Sequence, residues 1–116
     1  MKTVFLTILL SFATMALAQK APKFQTIEVK TSAICGECKE RIENKLNYSK
    51  GVKFANLDLD TKVVKVKFKT KKLSEAEVKA LIASLGYHAG DVARDDTAFD
   101  SLPGCCQDPN AKCSGK

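Results

Sequence analysis

The sequence predicts an α+β fold in which a four-stranded antiparallel sheet carries two helices on one face. Three observations point to it. Apolar residues alternate at a period of two around Ile27, Leu57 and Val66; the period lengthens to that of a helix after Cys38 and again after Ser74; and Gly51, an Asp60-Thr61-Lys62 turn and Gly86 separate the segments. The chain has 116 residues, 45% of them hydrophobic and 28% charged, with a formal net charge of +6. That is one domain's length and leaves no room for a multidomain enzyme. The apolar fraction is globular, which excludes a mostly disordered chain in spite of the lysines.

Before the fold begins, Lys2 precedes an apolar run over residues 4–18, interrupted only by Thr7, Ser11 and Thr14 and ending in Ala16-Leu17-Ala18. This pattern predicts a signal peptide over residues 1–18, cut after Ala18. An apolar run of about 15 residues falls short of the roughly 20 that a spanning helix needs, so no stable membrane insertion is expected after cleavage. The expected location is outside the cytosol, with the periplasm as the first choice. Residues 19–23 form a short basic lead-in, residues 24–93 the folded domain and residues 94–116 a cysteine-bearing tail.

Within the domain, Gln25, Ile27, Val29 and Thr31 share one side of a first strand and Thr26, Glu28 and Lys30 the other. Cys38, Ile42 and Leu46 are four apart, with Lys39, Glu40, Arg41, Glu43 and Lys45 between them, which describes an amphipathic helix. After Gly51, the alternation of Ala55, Leu57 and Leu59, and then of Val64, Val66 and Phe68 against Lys65, Lys67 and Lys69, predicts a hairpin. Ser74 and Glu77 have the spacing of a capping box, Val78, Leu81, Ile82 and Leu85 follow at helical spacing, and Gly86 ends the helix. A last strand is predicted from Tyr87 to Val92. The order strand, helix, strand, strand, helix, strand is that of the ferredoxin-like βαββαβ sandwich. So small a domain encloses no deep substrate cavity, which places its function on an exposed loop and argues against an enzyme.

One loop stands out. Cys35 and Cys38 lie between the first strand and the first helix, where two sulfurs can converge on one ion. The free N–H groups and dipole of a helix N-terminus favour thiolate there. Thiolates select soft ions such as Cu(I), and two suffice for linear coordination, whereas structural Zn(II) asks for four ligands.

Cys35 and Cys38, the helix over residues 39–46, Gly51-Val52, the hairpin over residues 57–66 and Leu85-Gly86-Tyr87 together resemble the heavy-metal-associated domain. That family includes copper chaperones, copper-ATPase amino-terminal modules and periplasmic mercury-binding proteins. The resemblance spans about residues 24–92 and implies that Cys35 and Cys38 hold Cu(I), with Hg(II) and Zn(II) as alternatives. It also implies that the ion passes by ligand exchange to a metal-transporting membrane protein or another metal-binding domain. Tyr87 matches an aromatic position beside the metal loop. Where the family usually reads Gly-Met-Thr-Cys, this chain has Ser32-Ala33-Ile34-Cys35; the missing methionine is a buried support and not a ligand.

Two rival readings use the same cysteines. A thiol–disulfide redox protein of thioredoxin type would present a cis-proline opposite its C-x-x-C, but Pro22, Pro103 and Pro109 all lie outside the core. A structural module stapled by disulfides is the other. The tail adds Cys105, Cys106 and Cys113, making five cysteines, so complete internal pairing is impossible. Cys113 can bond Cys105 or Cys106, or the tail thiols can serve as further ligands or form a second site. If the last strand runs the full length of the sheet, the tail must be partly extended to return to the loop. Asp95, Asp96 or Thr97 is placed to cap a short tail helix that Pro103-Gly104 ends. His88 is a candidate auxiliary ligand, although a lone histidine at a strand start is more often a surface residue. Lys30, Lys53, Lys65, Lys67 and Lys69 make the open sheet face basic. Nucleic acid is not expected there, since Phe68 has the inward parity of Val64 and Val66 and leaves no aromatic platform.

Overall fold

The computed structural model describes residues 22–111, so the expected signal peptide and Cys113 lie outside the described residues. The elements are β1 (Phe24–Lys30), α1 (Gly36–Asn47), β2 (Val52–Asp58), β3 (Val63–Lys69), α2 (Glu75–Ala83), α3 (Asp96–Asp100) and α4 (Gly104–Gln107). The strands form an antiparallel sheet in the order β1-β3-β2.

Register follows the apolar alternation, because a slip by one residue would turn every inward side chain to solvent. Ile27 lies opposite Val66, and Val29 and Leu57 both face Val64 from either side. Their inner face, with Phe68, packs against Cys38, Ile42 and Leu46 of α1 and Val78 and Ile82 of α2. On the outer face the lysines stay near solvent. The ammonium groups of Lys23, Lys53 and Lys67 lie 5.4–5.7 Å from the centre of the Phe24 ring, close enough for cation–π attraction.

The turn after β2 is held by the Asp58 carboxylate, which accepts from the backbone N–H of Asp60 at 2.8 Å. At α2 the expected capping box is complete: Ser74 N–H donates to Glu77 at 2.7 Å, and Glu77 N–H donates to the Ser74 hydroxyl at 3.2 Å.

The fourth strand does not form. Over the predicted segment only isolated bridges occur, from Thr31 to Ala89 and from Ala89 to Val92. The reason is local: Gly90 has φ +58, a conformation that reverses an extended chain. Its N–H donates to the Lys30 carbonyl, while Ala89 and Val92 bond to each other. The chain therefore doubles back within a few residues of Tyr87 and never travels the length of the sheet. The extended return expected of the tail is unnecessary, and short helices replace it.

That return is pinned at several points. Asp95 N–H donates to the Ala83 carbonyl at 2.9 Å, and the Asp95 carboxylate caps α3 through Ala98 N–H at 2.9 Å. The Arg94 guanidinium sits 3.5 Å from the Phe99 ring centre. Gln107 donates to the carbonyls of Phe99, Asp100 and Leu102, at 3.0, 3.2 and 2.8 Å, and so fastens α4 to the end of α3. Gly86 makes the docking possible. Its φ is +99, and a Cβ there would lie 2.6 Å from the Phe99 nitrogen.

Gly86→Ala is therefore expected to destabilise the protein by about 1–3 kcal/mol or more, the strain of an unfavourable backbone region plus a backbone clash. Urea unfolding measures the loss. Limited proteolysis should cut residues 94–103 faster in the variant, because the change acts where the tail docks.

Candidate metal centre

β1 ends one residue before a polar anchor. Thr31 N–H and its hydroxyl both donate to the Lys62 carbonyl, at 2.8 and 2.9 Å, and the hydroxyl accepts from Ala33 N–H at 3.3 Å. Ala33 is buried and Ile34 packs against the core, so these two residues provide the apolar support for the loop where the resembled family places methionine. The Ser32 hydroxyl accepts from His88 N–H at 2.9 Å, tying the loop to the segment after α2.

Cys35 then stands at the N-cap of α1 in extended conformation, φ −152 and ψ 170, and its side chain does not cap the helix. Cys38 lies in the first turn, wholly buried in line with Ile42 and Leu46. Their sulfurs are 3.1 Å apart. The α1 N-terminus favours negative charge on groups placed there.

The third sulfur comes from the tail. Cys106 Sγ on α4 is buried and lies 3.9 Å from Cys35 Sγ. Cys35, Cys38 and Cys106 are thiols outside any disulfide. Cys105 is disulfide-bonded. The Cys105 sulfur falls within 4.8 Å of those of Cys35 and Cys106 and 3.4 Å from a Glu37 carboxylate oxygen. A disulfide sulfur carries no thiolate charge, so the three thiols are the donors of this cluster in its oxidised-tail state. Glu37 itself pairs with Arg41 at 3.3 Å.

Tyr87 closes the site from below. Its ring is buried in the core and its hydroxyl has no well-formed hydrogen bond. Cys38 and Cys106 are the thiols that bear on it. Burial, then the two thiols, pushes the phenol up from its ordinary value, which keeps it protonated and a donor. For Cys38, burial alone would raise the thiol. The nearby Tyr87 hydroxyl, the Ile34 backbone, Cys35 and Cys106 outweigh it and bring Cys38 below the ordinary thiol value. Cys106, pushed up to about 12 chiefly by burial and then by Cys38, holds its proton in the absence of an ion.

His88 makes a contact of its own. Its ring Nδ1 accepts from Arg94 N–H at 3.2 Å and serves the start of the tail. Sequence reasoning named all three thiols, Cys105 and Tyr87. It missed Thr31, Ser32 and Glu37, whose contacts depend on residues far away in the chain.

The profile of the heavy-metal-associated domain matches residues 29–88. No curated protein sequence matches the chain significantly. Among solved structures, the CopZ metallochaperone aligns with a TM-score of 0.54 at 27% identity, over 56% of this chain and 98% of its own. The N-terminal domain of a potential copper-translocating P-type ATPase from Bacillus subtilis, in its Cu(I)-loaded state, gives 0.55 at 27% identity over 63% and 92%. Oxidized MerP from Ralstonia metallidurans CH34 gives 0.55 at 20% identity over 58% and 94%, a likeness of fold.

Tyr87→Phe separates the hydroxyl's role from the ring's. With no well-formed hydrogen bond to lose, the metal-free reduced protein should keep its stability or gain slightly. Removing a donor should move the Cys38 and Cys106 titrations upward, seen as less thiolate absorbance at a given pH. A large loss of stability without a change in thiol titration would show the hydroxyl to be structural.

Proposed function

The chain belongs to the heavy-metal-associated domain family, and on that premise we propose that it is an exported carrier of a soft metal ion, Cu(I) first, held by the thiolates of Cys35 and Cys38. The observation that carries this reading is the pair of sulfurs 3.1 Å apart at the start of α1. Metal–sulfur bonds of about 2.3 Å put two linear ligands about 4.6 Å apart. Cys35, on the loop and only half-buried, is the residue placed to open to that span while Cys38 stays fixed in the core.

Ion uptake releases the thiol protons to solvent. In transfer, a partner's thiolate attacks the ion at the Cys35 side, a three-coordinate bridge forms, and a thiolate of this chain leaves and regains a proton. The ion is never free and no electrons move. The CopZ metallochaperone and the Cu(I)-loaded ATPase domain among its structural relatives support Cu(I) as cargo and a metal transporter as partner; Hg(II) and Zn(II) are the alternatives. Removal of residues 1–18 would deliver the protein outside the cytosol, and the exported protein should then begin at Gln19 when its N-terminus is sequenced.

Titration of the reduced protein with Cu(I), Hg(II) and Zn(II) against a competing chelator tests the site. Cys35→Ser should lower Cu(I) affinity by more than the roughly 10–100-fold typical of losing a residue that merely orients a ligand. If the wild type yields every ion to the chelator while its dithiol reduces a disulfide substrate, it is a redox protein and the carrier reading fails.

A further inference from the structure

We propose that Cys106 is a third thiolate ligand, brought by α4 so that the ion is enclosed by Cys35, Cys38 and Cys106 over the Tyr87 hydroxyl. The proposal rests on the two-thiolate reading and changes what the site does.

Distance is the first argument. With metal–sulfur bonds of about 2.3 Å, three sulfurs around one ion stand about 4.0 Å apart. Cys35 and Cys106 stand at 3.9 Å, the length of a trigonal edge. The short edge, 3.1 Å between Cys35 and Cys38, widens by rotation of the half-buried Cys35 side chain. Burial is the second argument. Cys106 sits on a four-residue helix near the end of the described chain, yet its thiol is buried against the metal loop. The Gln107 bonds to three carbonyls and the docking of α3 at Gly86 hold it there.

Tyr87 is the third and independent argument. A buried hydroxyl without a well-formed hydrogen bond normally costs stability. Here it lies near sulfurs from both halves of the cluster, Cys38 of the domain and Cys106 of the tail, and bonds to neither. An ion drawing charge onto those sulfurs gives the hydroxyl acceptors worth bonding.

The functional consequence is retention. A two-coordinate ion is open to a third, incoming thiolate, whereas here that place is taken by the chain itself. Hand-off then requires α4 to withdraw Cys106 first, so the tail acts as a clasp, and the protein suits scavenging better than rapid shuttling. Three soft donors favour Cu(I) and Hg(II) over Zn(II), whose structural sites ask for four.

The test is X-ray absorption at the metal edge on Cu(I)-loaded full-length protein, prepared without oxygen and with the Cys105 disulfide intact, with the mass of the complex measured alongside. The expected result is a monomer with three sulfurs per ion in the wild type and two in Cys106→Ser. Cys106→Ser should also release the ion to a dithiol chelator at least about tenfold faster, since a ligand's loss should cost no less than that of a ligand-orienting residue. Two sulfurs in the wild type overturn the third ligand whether or not the variant folds. So do three that persist in Cys106→Ser, or that appear only in a dimer. If Cys35→Ser keeps full affinity, the two-thiolate reading itself fails, a result distinguishable from the others.

Discussion

The rest of the structure depends on Cys38 being a core residue. It is fully buried in the same line of α1 as Ile42 and Leu46, so the packing that holds the helix on the sheet also fixes the sulfur's position. Burial of a thiol disfavours its ionised form, and the site must compensate with donors. The Tyr87 hydroxyl, the Ile34 backbone and the neighbouring thiols meet that demand. Each of these is itself held by the core or by the Thr31 anchor. A chemically soft, reactive group is thus placed with the precision of a packing residue, and only its partner Cys35 is left some freedom.

The division of labour between Cys35 and Cys38 follows from this placement. One sulfur sits at the N-cap with extended backbone and partial exposure; the other is one turn deeper. On the carrier reading proposed above, the fixed sulfur would keep the ion registered to the domain while the outer one exchanges, an asymmetry suited to stepwise ligand substitution.

Most of the domain was legible because each segment is consistent at every level. Val64, Val66 and Phe68 alternate with lysines, and nothing but a strand with one buried face satisfies both sets. Ser74 and Glu77 announce α2, and both bonds of the box form. The segment after Gly86 misled for a physical reason. Tyr87 and Ala89 have strand-like burial, but Gly90 takes a positive φ that composition does not reveal. The tail's course hung on that one torsion and on the contact between Gly86 and Phe99. Cysteine identity was readable along the chain; the distance from Cys106 to Cys35 was not, because it depends on two turns and a docking event separated from the loop by some 70 positions.

The adjacency of Cys105 and Cys106 has a simple angular meaning. Successive residues on a helix point about 100° apart, so a single turn of α4 faces two directions at once. Cys106 lies 3.9 Å from the Cys35 sulfur, while Cys105, also within 4.8 Å of it, reaches toward Glu37 and is joined in a disulfide. One side chain can be covalently tethered while its neighbour stays a thiol. Inserting or deleting a single residue before α4 would rotate the pair by that same angle and turn a different side chain toward the loop. The spacing from Gly86 to Cys106 is therefore a phase as much as a length.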